Sequence, residues 1–395
     1  MAVPLDRPIV CSVLIGRTSH MAALEARSAQ AAAGQGQTVL VSGEAGIGKS
    51  RLVAATRAQW LARGPAAPGA GPAILQGQCF EPDRALPYGP LLDLLRTLLL
   101  AGPAEDRTRL LGPAAPDLAG LLPELAPLLP ARPPAPAREP EQEKRHLFQA
   151  LMHFFVQPPT AGAARLIIVE DLHWCDETSL EFLLILARRI AEQPILLLLT
   201  YRSDELHPAL GHFLAELDRA RLASELPLAP LTPGELDSLI RAIFPQAHPV
   251  HADFLTTLYD LTEGNPFFAE EVLKSLLAGG EIFYTAGAWS RKPVHELHIP
   301  RTVQDAVQRR SQQLSPPARN LLLVAAVAGR RSDFPLLQQV TGTAERDLLG
   351  LIKELIAGQL MVEESADRFA FRHALTRQAV YAGLLLRERK ALHRT

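Results

Sequence analysis

The stretch VSGEAGIGKS, residues 41–50, decides the first part of the fold. It fits the pattern G-x-x-x-x-G-K-[ST]. The β-branched run QTVLVSG (37–43) in front of it predicts a buried strand, and KSRLVAATRAQWLA (49–62) behind it predicts a helix. A strand, a glycine-rich turn and a helix in this order predict a phosphate-binding loop rather than a turn without a ligand.

Each residue type in this loop suits a bound nucleotide. The glycines let the backbone wrap closely around phosphates and direct N–H groups toward them. Lys49 is expected to reach the β- and γ-phosphate oxygens, and Ser50 to bind Mg²⁺. The chain has only six lysines against 34 arginines, which argues against a chance match at Lys49. The expected nucleotide-binding residues of the loop are Gly43, Glu44, Ala45, Gly46, Ile47, Gly48, Lys49 and Ser50.

Two acids end a second apolar run, LIIVED (166–171). A phosphate-binding loop needs a carboxylate at a neighbouring strand end to hold Mg²⁺, and a second carboxylate can orient the attacking water. Their order favours Glu170 as the Mg²⁺ ligand and Asp171 as the base, although the reverse assignment stays open. Two solvated acids at a strand end are the plainer alternative.

Three further positions carry weaker signals. Arg202 follows the strand-like run ILLLLTY (195–201) and is either a sensor of γ-phosphate charge or a surface arginine. Asn265 and Pro266 separate two helical runs, which an N-cap followed by proline at the first helical position explains locally. His373 follows a predicted hairpin, where a lone histidine is usually structural or exposed.

Composition bounds the class of protein. The chain of 395 residues is 48% hydrophobic and 21% charged, typical of a soluble protein of two to three domains. Its net charge of −2 provides no general basic field for nucleic acid or an anionic membrane. The isolated cysteines Cys11, Cys79 and Cys175 argue against a disulfide framework and for a reducing cytoplasm. No apolar run is long enough to span a bilayer.

The order of the patterns predicts the domains. Strands alternate with helices over residues 1–230, which predicts an α/β domain with a parallel sheet, interrupted by a proline-rich insertion at 102–142. Residues 231–299 predict a small helical domain without strands. Residues 300–382 predict a winged helix, and 383–395 begin a truncated helical region.

Six stretches together resemble the ATPase module of STAND proteins, the signal-transduction ATPases, and most closely that of large bacterial LuxR-type transcriptional regulators. They are VLIGRTSHMAALE, VLVSGEAGIGKSRLV, LIIVEDLHWCDETSLEFL, LLLLTYRSDEL, LTEGNPFFAEEVL and FRHALTRQAVYAGLL. The resemblance runs from about residue 12 to 395, and its EDLHW and GNPFF motifs are the most specific. It implies an AAA-type P-loop ATPase in which Glu170 and Asp171 are the Walker B acids.

The resemblance also implies roles that spacing alone does not give. Gly16 and Arg17 are expected near the adenine, and Arg202 as the sensor. Pro266 is expected to pack against the nucleotide, and His373 to contact the β-phosphate of ADP in a closed state.

The implied function is a cytoplasmic switch that binds ATP or ADP with Mg²⁺, hydrolyses ATP slowly to ADP and phosphate, and self-associates with ATP. A small-molecule or protein inducer would act through a missing C-terminal region, and DNA would bind only through a missing helix-turn-helix. No membrane partner is expected.

Two other readings stay open. One is an AAA+ ATPase that remodels a partner within a ring, with an arginine supplied in trans by Arg189, Arg219 or Arg221. The other is a regulatory nucleotide-binding module attached to a cyclase or kinase.

Overall fold

A computed structural model describes residues 11–62, 74–100, 139–156, 164–244, 250–285, 288–291 and 300–394. The chain divides into two compact units. The sheet unit is Arg17–Ala229, and the helical unit combines Met1–Gly16 with Pro230–Thr395. The first sixteen residues thus group with the helical part of the chain, whereas the sequence assigned them to the P-loop domain.

A parallel five-stranded sheet forms the centre of the sheet unit. Its strands are β1 (Gln37–Ser42), β2 (Ile74–Gln78), β3 (Arg165–Glu170), β4 (Ile195–Tyr201) and β5 (Ser224–Pro227). Their order is β2-β3-β4-β1-β5, so β4 separates the loop strand from the acid strand. The expectation that the acids end a strand adjacent to the loop strand is therefore wrong. The site can still assemble, because parallel strands end at the same edge of the sheet.

Helices cover the sheet. They are α1 (Thr18–Ala32), α2 (Lys49–Ala62), α3 (Gly89–Leu100), α4 (Pro140–Val156), α5 (Glu177–Arg189) and α6 (Pro208–Arg219). Every residue of β3 and β4 is buried, as expected for strands covered on both faces. The rings of Phe148 and Phe155 pack edge-on against Phe182, with centroids 5.3 and 5.8 Å apart, and join α4 to α5.

The predicted insertion at 102–142 lies mostly outside the described residues. Its last residues differ from the prediction, because α4 already begins at Pro140. Proline is well suited to the first helical position, since its missing N–H has no intrahelical partner there. The buried Arg165 is the first residue of β3. It donates hydrogen bonds to the carbonyl oxygens of Phe154 and Phe155 in the last turn of α4, at 3.1 and 3.0 Å.

The helical unit begins with three helices and a hairpin. These are α7 (Pro233–Ile243), α8 (Ala252–Thr262), α9 (Pro266–Ala278) and the strands β6 (Ile282–Thr285) and β7 (Ala288–Arg291). A capping box at Thr232 and Glu235 starts α7. The expectation that strands stop after residue 230 is wrong, since β6 and β7 pair antiparallel.

The remainder of the helical unit alternates helices and short strands. The elements are α10 (Arg301–Gln312), α11 (Pro316–Ala328), β8 (Arg331–Asp333), α12 (Phe334–Thr341), α13 (Glu345–Ala357), β9 (Met361–Ser365), β10 (Arg368–Phe371), α14 (Ala374–Ala382) and α15 (Leu386–Leu392). The predicted hairpin is present as β9 and β10, and β8 pairs with β10 in a three-stranded antiparallel sheet. The sequence did not predict β8 or α12.

Residues 383–395 were predicted to begin a further helical region. In the structure α14 ends at Ala382, and α15 starts at Leu386. One buried apolar cluster runs from α7 to α14, so residues predicted as two separate domains share one core. Among the described helices of both units, none combines the length and apolarity needed to cross a membrane.

Candidate nucleotide-binding site

The glycine-rich loop joins β1 to α2 in the sheet unit. Gly43, Gly46 and Gly48 have φ angles of 147°, 78° and 106°, which residues with a side chain rarely adopt. A Cβ on Gly43 would also approach the carbonyl oxygen of Leu228 to 3.0 Å. The loop conformation therefore depends on glycine.

Lys49 is buried within the loop that it follows. Its Nζ donates hydrogen bonds to the carbonyl oxygens of Gly43 at 2.8 Å and Glu44 at 2.9 Å. Burial, reinforced by the positive charge of Arg202, lowers the pKa of Lys49 to about 8. The cation is thus fixed at the N-terminus of α2, a favourable place for phosphate.

Arg17 contacts the same loop from the start of the sheet unit. Its buried guanidinium donates through Nη2 to the carbonyl oxygens of Ile47, 3.1 Å away, and Ala229, 2.7 Å away. The structure therefore brings Arg17 to the predicted phosphate loop. Gly16 belongs to the helical unit, and its place near the adenine stays a prediction.

Glu170 is the buried acid that faces the loop. Gln76 donates from Nε2 to its Oε1 at 3.0 Å, and the side chain of Ser50 lies beside the same carboxylate. Burial raises the pKa of Glu170, and the hydrogen bonds from Ser50 and Gln76 offset part of that rise. Oε2 has no hydrogen-bond partner among the residues that the structure describes.

Ser50 and Glu170 are the two residues predicted to hold Mg²⁺, and they meet in the structure. A hydroxyl and a carboxylate offer hard oxygen ligands, which suit Mg²⁺ when phosphates and water complete its octahedron. No group of three or more His, Cys, Asp or Glu side chains that could hold a metal ion exists within the described ranges. The donor set therefore fits a metal that arrives with a nucleotide.

Asp171 lies where three strand ends converge. Its backbone is left-handed, with φ 63° and ψ 46°, a conformation that costs a residue with a side chain about 1 kcal/mol or more. Its N–H donates to Thr200 Oγ1 at 3.0 Å, and Gln78 Nε2 donates to its Oδ2 at 3.3 Å. The strained turn directs the carboxylate away from the strand, where it is 16% exposed.

Arg202 lies beside this acid. It pairs with Glu205 at 2.7 Å, and its guanidinium is 4.8 Å from the centre of the Trp174 ring. His173 packs on Trp174 with ring centroids 4.4 Å apart, and its own side chain is fully buried. Arg202 thus belongs to a cluster that also includes Glu205, His173 and Trp174.

Sequence reasoning missed four polar partners: Gln76, Gln78, Thr200 and Glu205. Gln76 and Gln78 lie on β2 and Thr200 on β4, close to the carboxyl ends of their strands. This position in the sequence could have identified them, because the carboxyl ends of parallel strands share one edge of the sheet. His173 lies in the EDLHW motif, but no role was predicted for this histidine from the sequence.

The last two predicted residues lie in the helical unit. Pro266 is the first residue of α9, and Asn265 caps this helix by accepting from the N–H of Phe267 at 3.1 Å. The His373 ring is 5.1 Å from that of Phe268, and its Nδ1 is 3.9 Å from Glu263 Oε2. The unit thus brings His373 to the helix that Pro266 begins, and the roles of both toward a nucleotide stay predictions.

Comparison with known proteins adds the family context. Residues 13–199 match the family model described as an AAA ATPase domain. This part of the chain is thus similar to AAA ATPase domains. The match includes the loop, both acids and most of β4, and the α/β fold with its parallel sheet is typical of P-loop ATPases.

A protein of similar sequence matches nearly the whole length of the chain. The chain is 28% identical over 382 residues to an uncharacterized protein of Rhizobium meliloti (strain 1021), covering 92% of this chain and 34% of that protein. It therefore spans about a third of that relative's length.

Solved structures with a similar fold include a Walker-type ATPase of Pyrococcus abyssi. Its TM-score is 0.52 at 16% identity, covering 95% of this chain and 98% of that one. The ORC2 protein of Aeropyrum pernix, solved in ADPNP–ADP complexes, has a TM-score of 0.51 at 14% identity, covering 96% and 98%. At these identities the similarity shows the fold alone.

Proposed function

We propose that this chain is the nucleotide-binding module of a signal-responsive regulator, in which ATP and ADP favour different conformations. One observation carries the proposal: Ser50, which follows the loop lysine, lies close enough to Glu170, at the end of a strand two positions away in the sheet, to lower the pKa of that buried carboxyl. A glycine-rich turn without a ligand does not require that contact.

Different residues of the sheet unit would bind the phosphates, hold the metal and orient the attacking water. Gly43 to Ser50 would hold the phosphates, with Lys49 providing the positive charge, and Ser50 and Glu170 would hold Mg²⁺. When bound, Mg²⁺ and ATP supply a γ-phosphoryl group open to attack by water. Asp171 would orient that water, since it is the more exposed acid and Glu170 lies beside Ser50.

Slow hydrolysis follows from the state of Asp171. Its Oδ2 accepts a hydrogen bond from Gln78 at 3.3 Å, and this bond competes with a hydrogen bond from the attacking water. A water-orienting acid that must first leave such a partner favours a long-lived ATP state. A switch needs this property, and a motor does not.

The STAND assignment supplies the conformational part of the proposal. In the helical unit the order α11-β8-α12-α13-β9-β10, with a three-stranded sheet, supports a winged helix. Pro266 and His373 would contact the nucleotide in an ADP-bound closed state. A ligand can shift such an equilibrium only by its different affinity for the two states.

Partners follow from the LuxR-type resemblance. The Rhizobium meliloti relative is about three times as long as this chain, which supports further regions in proteins of this kind. We assign to such regions the inducer site and any DNA-binding helix-turn-helix, and to the ATP state the tendency to self-associate.

The AAA+ remodelling reading has its own support. The fold similarity to the ORC2 protein covers 96% of the chain, and that protein was solved in ADPNP–ADP complexes. Among the candidate trans arginines, Arg219 has a side chain that is 74% exposed and is accessible to a second subunit. Fast ATP turnover that rises with protein concentration would favour this function.

Identification of retained nucleotide tests the proposal. The purified chain is denatured, and released nucleotide is identified by chromatography, beside Lys49→Ala. Lys144→Ala is the matched control, because that lysine pairs with Glu181 near the protein surface. ADP released by the native chain and the control, but not by Lys49→Ala, would support the switch. A folded, empty chain that turns over added ATP rapidly would favour the motor instead.

A further inference from the structure

His173 is a buried imidazole between two carboxylates. Its Nδ1 lies 4.0 Å from Asp171 Oδ1, and its Nε2 lies 3.8 Å from Glu205 Oε2. Neither ring nitrogen has a hydrogen-bond partner within the described part of the chain. A buried polar atom without a partner destabilises the folded state, so a small movement that closes either gap is favourable.

The imidazole is neutral. Burial, followed by the positive charges of Arg202 and Lys49 and the neighbouring His207, lowers the pKa of His173 to about 3. A neutral imidazole has one N–H donor and one acceptor nitrogen. Since carboxylates only accept, His173 can donate to Asp171 through Nδ1 or to Glu205 through Nε2, but not to both at once.

The state of Arg202 decides which carboxylate is the stronger acceptor. In the structure Arg202 Nη1 lies 2.7 Å from Glu205 Oε1, which offsets the negative charge of that carboxylate. The Trp174 ring under the guanidinium restricts it to the same place. If Arg202 turns to another anion, Glu205 loses the cation that lies 2.7 Å from it and attracts the imidazole N–H more strongly.

We propose that His173 is a positioning residue that couples Asp171 to the ion pair of Arg202 and Glu205. While Arg202 pairs with Glu205, the proton stays on Nδ1, and a small movement that closes the 4.0 Å gap to Asp171 Oδ1 restrains that carboxylate. Once Arg202 leaves Glu205 for a phosphate, Nε2–H donates to Glu205, and Asp171 Oδ1 is free to accept from water. The ring exchanges one proton with water at each nitrogen, so its net charge does not change.

This coupling deepens the proposed function and rests on it. It makes the water-orienting acid available only when the sensor arginine is engaged. While Arg202 pairs with Glu205, the site therefore does not hydrolyse ATP. This restraint on Oδ1 of Asp171 adds to the hydrogen bond that Gln78 donates to Oδ2.

The tautomer of His173 is the direct test, and it does not depend on hydrolysis. The chain is labelled with ¹⁵N-histidine, and the ring signals of His173 are assigned by their loss in His173→Gln. We expect the Nδ1–H tautomer with ADP and the Nε2–H tautomer with a non-hydrolysable ATP analogue and Mg²⁺. In Arg202→Gln, both nucleotides should give Nε2–H. One tautomer in both complexes of the native chain overturns the coupling.

A double-mutant cycle tests the coupling through turnover. Glu205→Gln should lower kcat about tenfold with little change in KM, because the imidazole then stays on Asp171. His173→Phe removes the restraint, so the double variant should hydrolyse ATP at the rate of His173→Phe alone. Effects that multiply instead overturn the proposal. Glu216→Gln is the control, since that carboxylate pairs with Arg188 and Arg219 on the outside of the unit.

Failure of the coupling is distinguishable from failure of the proposed function. A folded chain that binds neither ADP nor the ATP analogue overturns both. A chain that binds both nucleotides, loses them in Lys49→Ala and shows an unchanged His173 tautomer overturns the coupling alone.

Discussion

Arg17 Nη2 donates a hydrogen bond to the carbonyl oxygen of Ile47, 3.1 Å away, inside the glycine-rich loop. The same nitrogen reaches the carbonyl oxygen of Ala229, so one buried cation joins both ends of the sheet unit to its phosphate loop. Arg17 therefore has a structural role that holds whatever its distance from an adenine.

We expect Arg17→Gln to destabilise the chain by about 2–3 kcal/mol, because buried carbonyl oxygens lose charge-assisted hydrogen bonds. Urea unfolding measures the change. Arg96→Gln is the control, since its side chain is 47% exposed and pairs across one helical turn with Asp93; it should shift stability by less than about 0.5 kcal/mol. Equal effects of the two substitutions would contradict a structural role for Arg17.

Nucleotide affinity should fall as the pH rises through about 8. Lys49 has a pKa lowered to about 8 in the free chain, and bound phosphate raises the pKa of a neighbouring ammonium. Binding above this pH must therefore take up a proton, and the Kd for ADP increases. Calorimetry from about pH 7 to about pH 9 measures the slope. Lys49→Arg should remove it, because guanidinium stays charged throughout; a slope that survives would assign it to another group.

Glu170→Gln should leave the unfolding temperature of the nucleotide-free chain unchanged or raised at neutral pH. Burial raises the pKa of Glu170, so the folded state binds the extra proton between pH about 4.3 and that raised value. This carboxylate therefore costs stability as the pH rises through that window. The gain of the variant over the native chain should shrink toward acid pH. Calorimetric scans measure it, with the exposed Glu177→Gln as control.

The same variant should lose the dependence of ADP binding on Mg²⁺, because its amide is a poor replacement for a carboxylate ligand. Asp171→Asn should retain that dependence and hydrolyse ATP more slowly. Titrations of Mg²⁺ at fixed ADP distinguish the two acids. The reversed pattern would exchange their roles and restore the assignment that sequence order left open.

Gly264→Ala should destabilise the helical unit by more than Gly280→Ala. Both glycines have positive φ, 74° and 67°, so alanine is strained at each by about 1–2 kcal/mol. Only at Gly264 would the new Cβ meet backbone, 2.1 Å from the carbonyl oxygen of Leu231, whereas Gly280 has open space around it. Urea unfolding of both variants isolates the contact. Equal losses would show that backbone strain alone explains this glycine.

Local signals in the sequence were enough for much of the sheet unit. The strand before the loop, the loop and α2 follow from a β-branched run, spaced glycines and helical periodicity, all within residues 37–62. The same was true of the strand that ends at Glu170. Where such signals were weak, elements were missed. β8 has three residues, and no pattern predicts so short a strand.

The sequence by itself determined the strand, loop and helix that carry Gly43, Lys49 and Ser50, because these elements form one short segment whose conformation is local. Only the tertiary structure decided which other residues lie next to this segment. Insertion of β4 between β1 and β3, the hydrogen bond from Gln78 to Asp171 and the enclosure of His173 all join residues distant along the chain. Such contacts depend on strand order and burial, which no segment encodes alone.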